Sequence, residues 1–203
     1  MLVVADLGQI EPRVLAVLSG DSRFLELVAG GTDPYEAHAR AHMGYDDPRP
    51  LRETDPRLRS VAKMRTLLLG YQGGAAKFRS ACAASGLDLD ADEAARIVRE
   101  YRASARQVTA MWRRHERDID GAVGGMLEVP LPSGRKLAYR DVRKDAGNGR
   151  TGYSAVTPRY GRLERTELYG GLVAANRTSA TARDILAGHL AEADAAGLDV
   201  VLH

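Results

Sequence analysis

The residues Asp6-Leu7-Gly8-Gln9-Ile10-Glu11-Pro12-Arg13 follow directly on an apolar run, Met1-Leu2-Val3-Val4-Ala5, and this junction governs the reading of the chain. The apolar run predicts a buried strand that ends in a carboxylate, Asp6. A strand fixes such a side chain in place and the turn after it opens room for a substrate, which suits a metal-binding acid. A helix cap or turn residue is the other use of Asp at a strand end, and the stretch taken alone leaves both open. Beyond it Val14, Leu15, Val17 and Leu18 recur at helical spacing, with Pro12 in the first turn, where a missing N–H costs little.

A second stretch has the same double character. Arg59, Lys63 and Tyr71 lie in a helix predicted over residues 56–71. At about 100° per residue these three positions fall within about 120° of one another, on one broad face. The two cations stand one turn apart, a spacing that suits neighbouring phosphate groups, with Arg as a fork and Lys as a point charge. Tyr71 stands two turns beyond Lys63, where a base or sugar would lie. A solvated basic face with a core tyrosine fits the same pattern.

Around these stretches the pattern predicts a mainly helical chain. Helices are expected over residues 11–18, 22–29, 34–43, 75–85, 92–118 and 167–196, with Gly30-Gly31, Gly86 and Gly197 as stops and Asp33 as a cap. Asp90, Asp92 and Glu93 suit the positive N-terminal end of the 92–118 helix. Asp88, Asp90 and Asp92 lack the central glycine and closing Glu of a calcium loop, so capping is the preferred reading. Residues 44–55, rich in Asp and Pro, read as an irregular exposed loop. Residues 126–131 alternate like a strand, Pro132-Ser133-Gly134 signals a turn, and 135–140 pair back as a hairpin. Residues 145–153 read as a mobile loop and 198–202 as the start of a strand.

Composition bounds the function classes. The 203 residues suit one domain or a large part of one, and 44% apolar with 28% charged residues is globular material. Aromatics at 5% exclude base stacking on aromatic platforms as the main mode of action. A single cysteine, Cys82, excludes a disulfide framework and a Cys-rich zinc site, and is expected in the core. His38 and His42 sit at i, i+4 without the Glu or third ligand of a metalloprotease site. No membrane span or signal peptide is read, so Asn176-Arg177-Thr178 is not taken as a glycosylation acceptor and the expectation is a soluble, cytoplasmic chain. Of the 29 Lys and Arg residues only Lys63, Lys77, Lys136 and Lys144 are lysine. Arginine dominance fits a G+C-rich genome, and it also fits phosphate recognition.

Taken together, in this order and spacing, the two stretches resemble those of the family A, polymerase-I-like DNA polymerases, most closely the phage-type and actinobacterial members. Asp6 to Arg13 is similar to the family's first motif, Asp-Tyr-Ser-Gln-Ile-Glu-Leu-Arg, and Arg59, Lys63 and Tyr71 to its second. Asp33-Pro34-Tyr35, Leu131-Pro132-Ser133-Gly134-Arg135, Leu168-Tyr169-Gly170-Gly171, Asn176 and Ala182-Arg183-Asp184 extend the resemblance over essentially the whole chain. The fold it implies is α+β and mainly helical: polymerase fingers with part of the palm, few short strands and one hairpin. Residues 1–30 would be palm with the first motif, 31–164 fingers with the nucleotide helix 56–71 and the hairpin 126–140, and 165–203 palm.

The resemblance implies template-directed nucleotidyl transfer by two Mg2+ ions in DNA replication or repair, on primer-template DNA and deoxynucleoside triphosphates. Asp6 would hold the metals, with the Leu7 carbonyl as a further ligand. Glu11 would exclude a ribose 2′-hydroxyl, with Gln9 close to the same pocket. Arg59 and Lys63 would bind the triphosphate, Lys63 also protonating the leaving pyrophosphate, while Leu67 and Tyr71 line the nucleotide pocket. Asn176 and Ser179 would face DNA. Departures are Leu7-Gly8 for Tyr-Ser, Leu67 for a stacking aromatic, Gln72 for glycine, Tyr35 for His and Ser179 for Gln. The third motif, His-Asp-Glu, is represented at most by His203, so its Asp is absent. The sequence therefore reads as a truncated polymerase that needs the remainder of its chain and is inactive in isolation. An inactive nucleic-acid-binding or nucleotide-binding remnant and a single-subunit RNA polymerase relative are the alternatives, and Glu11 argues against the second.

Overall fold

The computed structural model describes residues 4–147, 150–159 and 161–199. Its first half is helical: α1 (Ile10–Ser19), α2 (Ser22–Ala29), α3 (Pro34–His42), the short α4 (Leu51–Thr54), α5 (Pro56–Leu68), α6 (Ala75–Ala84), α7 (Ala91–Ser104) and α8 (Arg106–Gly121). Carboxylate caps start several of these helices. Asp33, Asp55 and Asp90 accept from the N–H groups of Tyr35 and Glu36, Leu58 and Glu93 respectively. Pro34 and Pro56 occupy the first turns of α3 and α5. Strands β1 (Leu127–Pro130), β2 (Lys136–Gly147), β3 (Arg150–Arg159) and β4 (Arg162–Leu168) then form an antiparallel meander, and α9 (Gly170–Ala195) follows.

Leu15, Met64, Phe78, Cys82, Ile97, Tyr101, Met111, Trp112 and Ala174 form the main core, which α1, α5, α6, α7, α8 and α9 enclose. A second cluster, with Ile119, Val129, Tyr139, Val142, Ala155, Leu168 and Val173, seats one face of the sheet on the ends of α8 and α9. Cys82 is fully buried, as expected.

Several expectations need correction. Residues 4–7 are not a strand; Val4 is 86% exposed and Asp6 is exposed too. A strand needs a neighbour for its backbone groups, and the four described strands pair only among themselves. Residues 1–3 lie outside the described part, as do 200–202 of the expected C-terminal strand, while 198–199 are irregular. The loop 44–55 contains α4 and buries Leu51 completely, because Glu36 accepts the Leu51 N–H at 2.9 Å. The single long helix over 92–118 is two helices broken at Ala105, whose ψ of 60° leaves the helical region. No Gly or Pro marks that break. Packing decides it, with Ala105 only 1% exposed and Ser104 Oγ receiving a hydrogen bond from Arg65.

The sheet holds more than one hairpin. The first matches, with Leu127 opposite Tyr139 and Gly134 at φ +86° in its turn. Residues placed in a mobile loop instead continue β2 and open β3, with Lys144 opposite Tyr153, although 148–149 lie outside the described part. Residues 162–168, read in part as the start of a helix, are β4, and the helix begins at the double glycine.

Candidate functional site

The first-motif residues precede and open α1. Gln9 stands just before it in the left-handed region at φ 53°, which turns its amide toward α3. There Gln9 Nε2 donates to Asp33 Oδ2 at 3.3 Å. Arg59, from the second turn of α5, donates from Nη2 to the same Asp33 oxygen at 3.5 Å, and its guanidinium lies 5.3 Å from the centroid of the Tyr35 ring. Residues about fifty positions apart in sequence thus share one carboxylate. Asp33, read from sequence as a cap, caps α3 through Oδ1 and gathers Gln9 and Arg59 through Oδ2.

Lys63 is exposed one turn further along α5 and forms no ion pair among the described residues, and Leu67, 37% exposed, stands one turn beyond that. Of the face expected from Arg59, Lys63 and Tyr71, α5 carries the two cations; it ends at Leu68, and Tyr71 lies in a 3₁₀ turn packed against the main core, as the core-tyrosine reading has it. Along α5 the order is a tethered guanidinium, Arg59, an exposed ammonium, Lys63, and a partly open apolar position, Leu67.

Tyr71 forms a second gathering. It ends a 3₁₀ turn, Leu69–Tyr71, that tightens the end of α5. Burial raises the Tyr71 phenol well above its usual range, the nearby Glu11 carboxylate adds to this, and Thr178 of α9 pulls the other way. Glu11 in turn accepts a hydrogen bond from Ser179 Oγ at 3.3 Å. The fully buried Thr178 Oγ1 has no hydrogen-bond partner of good geometry, so its influence on Tyr71 is one of proximity. Glu11, Tyr71 and Ser179 are thus brought together, while Asn176 is half-buried and donates to Tyr139 Oη at 2.9 Å.

The chain after Tyr71 is clamped. Gln72 takes the left-handed conformation at φ 67°. Its Oε1 accepts the Gly171 N–H at 2.8 Å, and its Nε2 donates to Glu116 at 2.9 Å. Trp112 Nε1 donates to the Gly70 carbonyl at 2.9 Å. Gly171 permits this approach, since a Cβ there would lie 2.5 Å from the Tyr71 carbonyl oxygen.

Asp6 and Leu7 offer a metal one exposed carboxylate and one carbonyl. Among the described residues no group of three or more His, Cys, Asp or Glu side chains could hold a metal ion. The described residues therefore do not by themselves make a two-ion site. His42, considered above as a ligand, is bound to Asp21 at 2.6 Å with both side chains 6% exposed, and His38 stacks on Tyr101.

The basic residues of the sheet are largely engaged. Arg135 meets Asp184 at 2.7 Å, Lys136 meets Glu128 at 2.7 Å, and Lys144 meets Asp120 at 2.9 Å. Arg143 and Arg165 share Asp141. Phosphate binding there competes with carboxylates already in place.

Comparison with known proteins bears on this geometry. The chain is 33% identical over 222 residues to a DNA polymerase of Bacillus phage SP02, a match that covers 98% of this chain. It spans 34% of the length of that phage protein. No protein-family model matches the chain. No helix among the described residues is long and apolar enough to cross a membrane.

Proposed function

We propose that this chain carries the nucleotide-binding fingers and part of the palm of a family A DNA polymerase, and that its reaction is template-directed nucleotidyl transfer. The observation that carries the reading is the shared carboxylate of Asp33, which sets Gln9 beside Arg59 with Lys63 one turn on. The similarity to the phage DNA polymerase supports the same reading.

In that reaction the primer 3′-hydroxyl oxygen forms a bond to the α-phosphorus as the bond to the bridging oxygen breaks and pyrophosphate leaves. Arg59 and Lys63 neutralise the triphosphate, and Lys63, exposed and unpaired, is the proton donor to the leaving group. Glu11, held by Ser179 and adjacent to Tyr71, closes the space that a 2′-hydroxyl needs. This favours deoxynucleotides over the ribonucleotides of an RNA polymerase relative. Two Mg2+ ions supply charge stabilisation in this class of chemistry. Asp6 is the carboxylate proposed to serve them, in company with an acid that the described residues do not gather.

The test is primer extension by the intact natural protein. Asp6→Asn is expected to lower extension by orders of magnitude, with DNA affinity within about twofold of the parent. Lys63→Ala is expected to cost at least about 100-fold in kcat/KM for the nucleotide. Glu11→Ala should raise ribonucleotide incorporation relative to deoxynucleotide. Extension by Asp6→Asn within about tenfold of the parent would overturn the assignment.

A further inference from the structure

On α5, Arg65 stands two residues from Lys63, about 200° around the helix, and so faces away from the proposed nucleotide face. An open groove of about 750 Å³ lies on that side, between α5, α7 and the end of α3. Arg65 lines it and is 2% exposed. Both hydrogen bonds of its guanidinium leave from Nη2, to the His42 carbonyl at 3.4 Å and Ser104 Oγ at 3.2 Å. Nε is buried and has no hydrogen-bond partner among the described residues. Burial lowers its pKa to about 10, partly offset by Tyr101 and Glu100. Among the described residues no carboxylate forms an ion pair with it, and its guanidinium lies 5.5 Å from the centroid of the Tyr101 ring. A buried cation is costly unless an anion or a full set of acceptors meets it.

The acids of the groove are held by a helix cap and by the groove's two other arginines, Arg57 and Arg96. Asp55 caps α5 through the Leu58 N–H, Glu93 holds Arg57 at 3.3 Å, and Glu100 holds Arg96 at 2.7 Å. Apolar side chains, Met43, Val61 and Ile97 among them, line the groove beside Arg65. The volume lies in the range of small-molecule sites.

We propose that this groove binds a small organic oxyanion, with Arg65 and Ser104 receiving the anionic group and Val61 and Ile97 its apolar body. A carboxylate and a phosphate ester share that chemistry, and the probes separate them. Hexanoate and phenyl phosphate are titrated against the 203-residue protein, with inorganic phosphate as the probe that lacks an apolar body. Trp112, the only tryptophan, reports binding, because it stacks on Tyr101 at 6.3 Å and Tyr101 lies under Arg65.

At least one organic probe is expected to saturate the fluorescence change with Kd of about 1 mM or tighter. Arg65→Gln should weaken it at least about tenfold. Ala103→Phe, at an exposed position lining the groove, should block binding while keeping Arg65, which keeps the proposal testable if Arg65→Gln does not fold. The organic probe that binds tighter identifies the source. No saturable binding of either organic probe below about 10 mM would overturn the proposal. So would undiminished binding to a folded Arg65→Gln or to Ala103→Phe, or inorganic phosphate binding as tightly as the organic probes.

Discussion

Asp21 and His42 meet at 2.6 Å with both side chains 6% exposed, whereas Lys136 and Glu128 meet at 2.7 Å on the sheet with side chains 56% and 45% exposed. The distances are nearly equal and the surroundings are opposite. The helical body has surface ion pairs of its own, such as Arg57–Glu93 and Arg96–Glu100, and in addition buries ionic groups deep inside: the Asp21–His42 pair, His38 stacked on Tyr101, His115 and Arg65. Burial tends to raise the Asp21 carboxyl, yet the His42 hydrogen bond and charge, with the Phe24 N–H, outweigh it and hold Asp21 below its usual range. The sheet carries its charge outside, as a lattice of Arg and Lys with Asp and Glu along β1, β2 and β4. Solvent already screens those pairs, so they add little to stability and set surface charge instead.

The comparison can be broken most directly at Asp21. Asp21→Ala strands a buried His42 without its acceptor and is expected to cost about 3–5 kcal/mol in chemical denaturation. A loss below about 1 kcal/mol would place the pair with the surface pairs. A smaller effect should appear with pH. His38 is buried, and burial first, then Arg65 and His42, hold its pKa well below 6.5. The folded state therefore keeps His38 neutral while the unfolded chain takes up a proton below pH 6.5. Stability from this group is complete above pH 6.5 and falls on acidification by about 1.4 kcal/mol per pH unit. Asp21, shifted below 3.8, adds its own loss only beneath that value. Denaturation midpoints at pH 7.5 and 5.5 should separate in the parent and separate less in His38→Phe, where His115, also buried and lowered, leaves a remainder. The smallest effect belongs to the sheet: Lys136→Ala is expected to change stability by less than about 1 kcal/mol, with any loss fading in high salt. A larger, salt-insensitive loss would mean that the lattice acts as a core.

The same contrast explains what the sequence discloses. Helix starts are written locally, in Asp33-Pro34, Asp55-Pro56 and Asp90, and so are readable. That Arg59 and Lys63 share a side is readable because helical spacing fixes it, whereas the meeting of Gln9 and Arg59 at Asp33 is a contact between elements that no local spacing encodes. Arg65 is not, because a basic residue on a basic helix gives no sign that the main core reaches its side of the turn. The break at Ala105 leaves no trace either, as alanine is the best helix former and tertiary packing alone overrides it. β4 was hidden by its exposure. Arg162 to Glu167 is polar almost throughout, so the alternation that marks a half-buried strand is missing. The Asp21–His42 pair joins residues twenty-one positions apart, on helices whose packing no local pattern encodes.

If α5 tilted about the clamp at Gln72, displacement would grow with distance from that end. Arg59 lies twelve residues from Tyr71, roughly 18 Å along the axis at about 1.5 Å per residue. A tilt of about 10° at the fulcrum therefore carries Arg59 through about 3 Å. That travel is comparable with the 3.5 Å separation between Arg59 and Asp33, so a small rotation suffices to release the contact or remake it. Gly70, Gln72 and Gly171 would stay engaged, because they sit at the pivot, where the same rotation displaces atoms very little. Such a tilt would change what the cationic end touches while leaving the clamped end fastened, and it would have to shear the packing of Leu58 and Ala62 against Ala39 and Leu51.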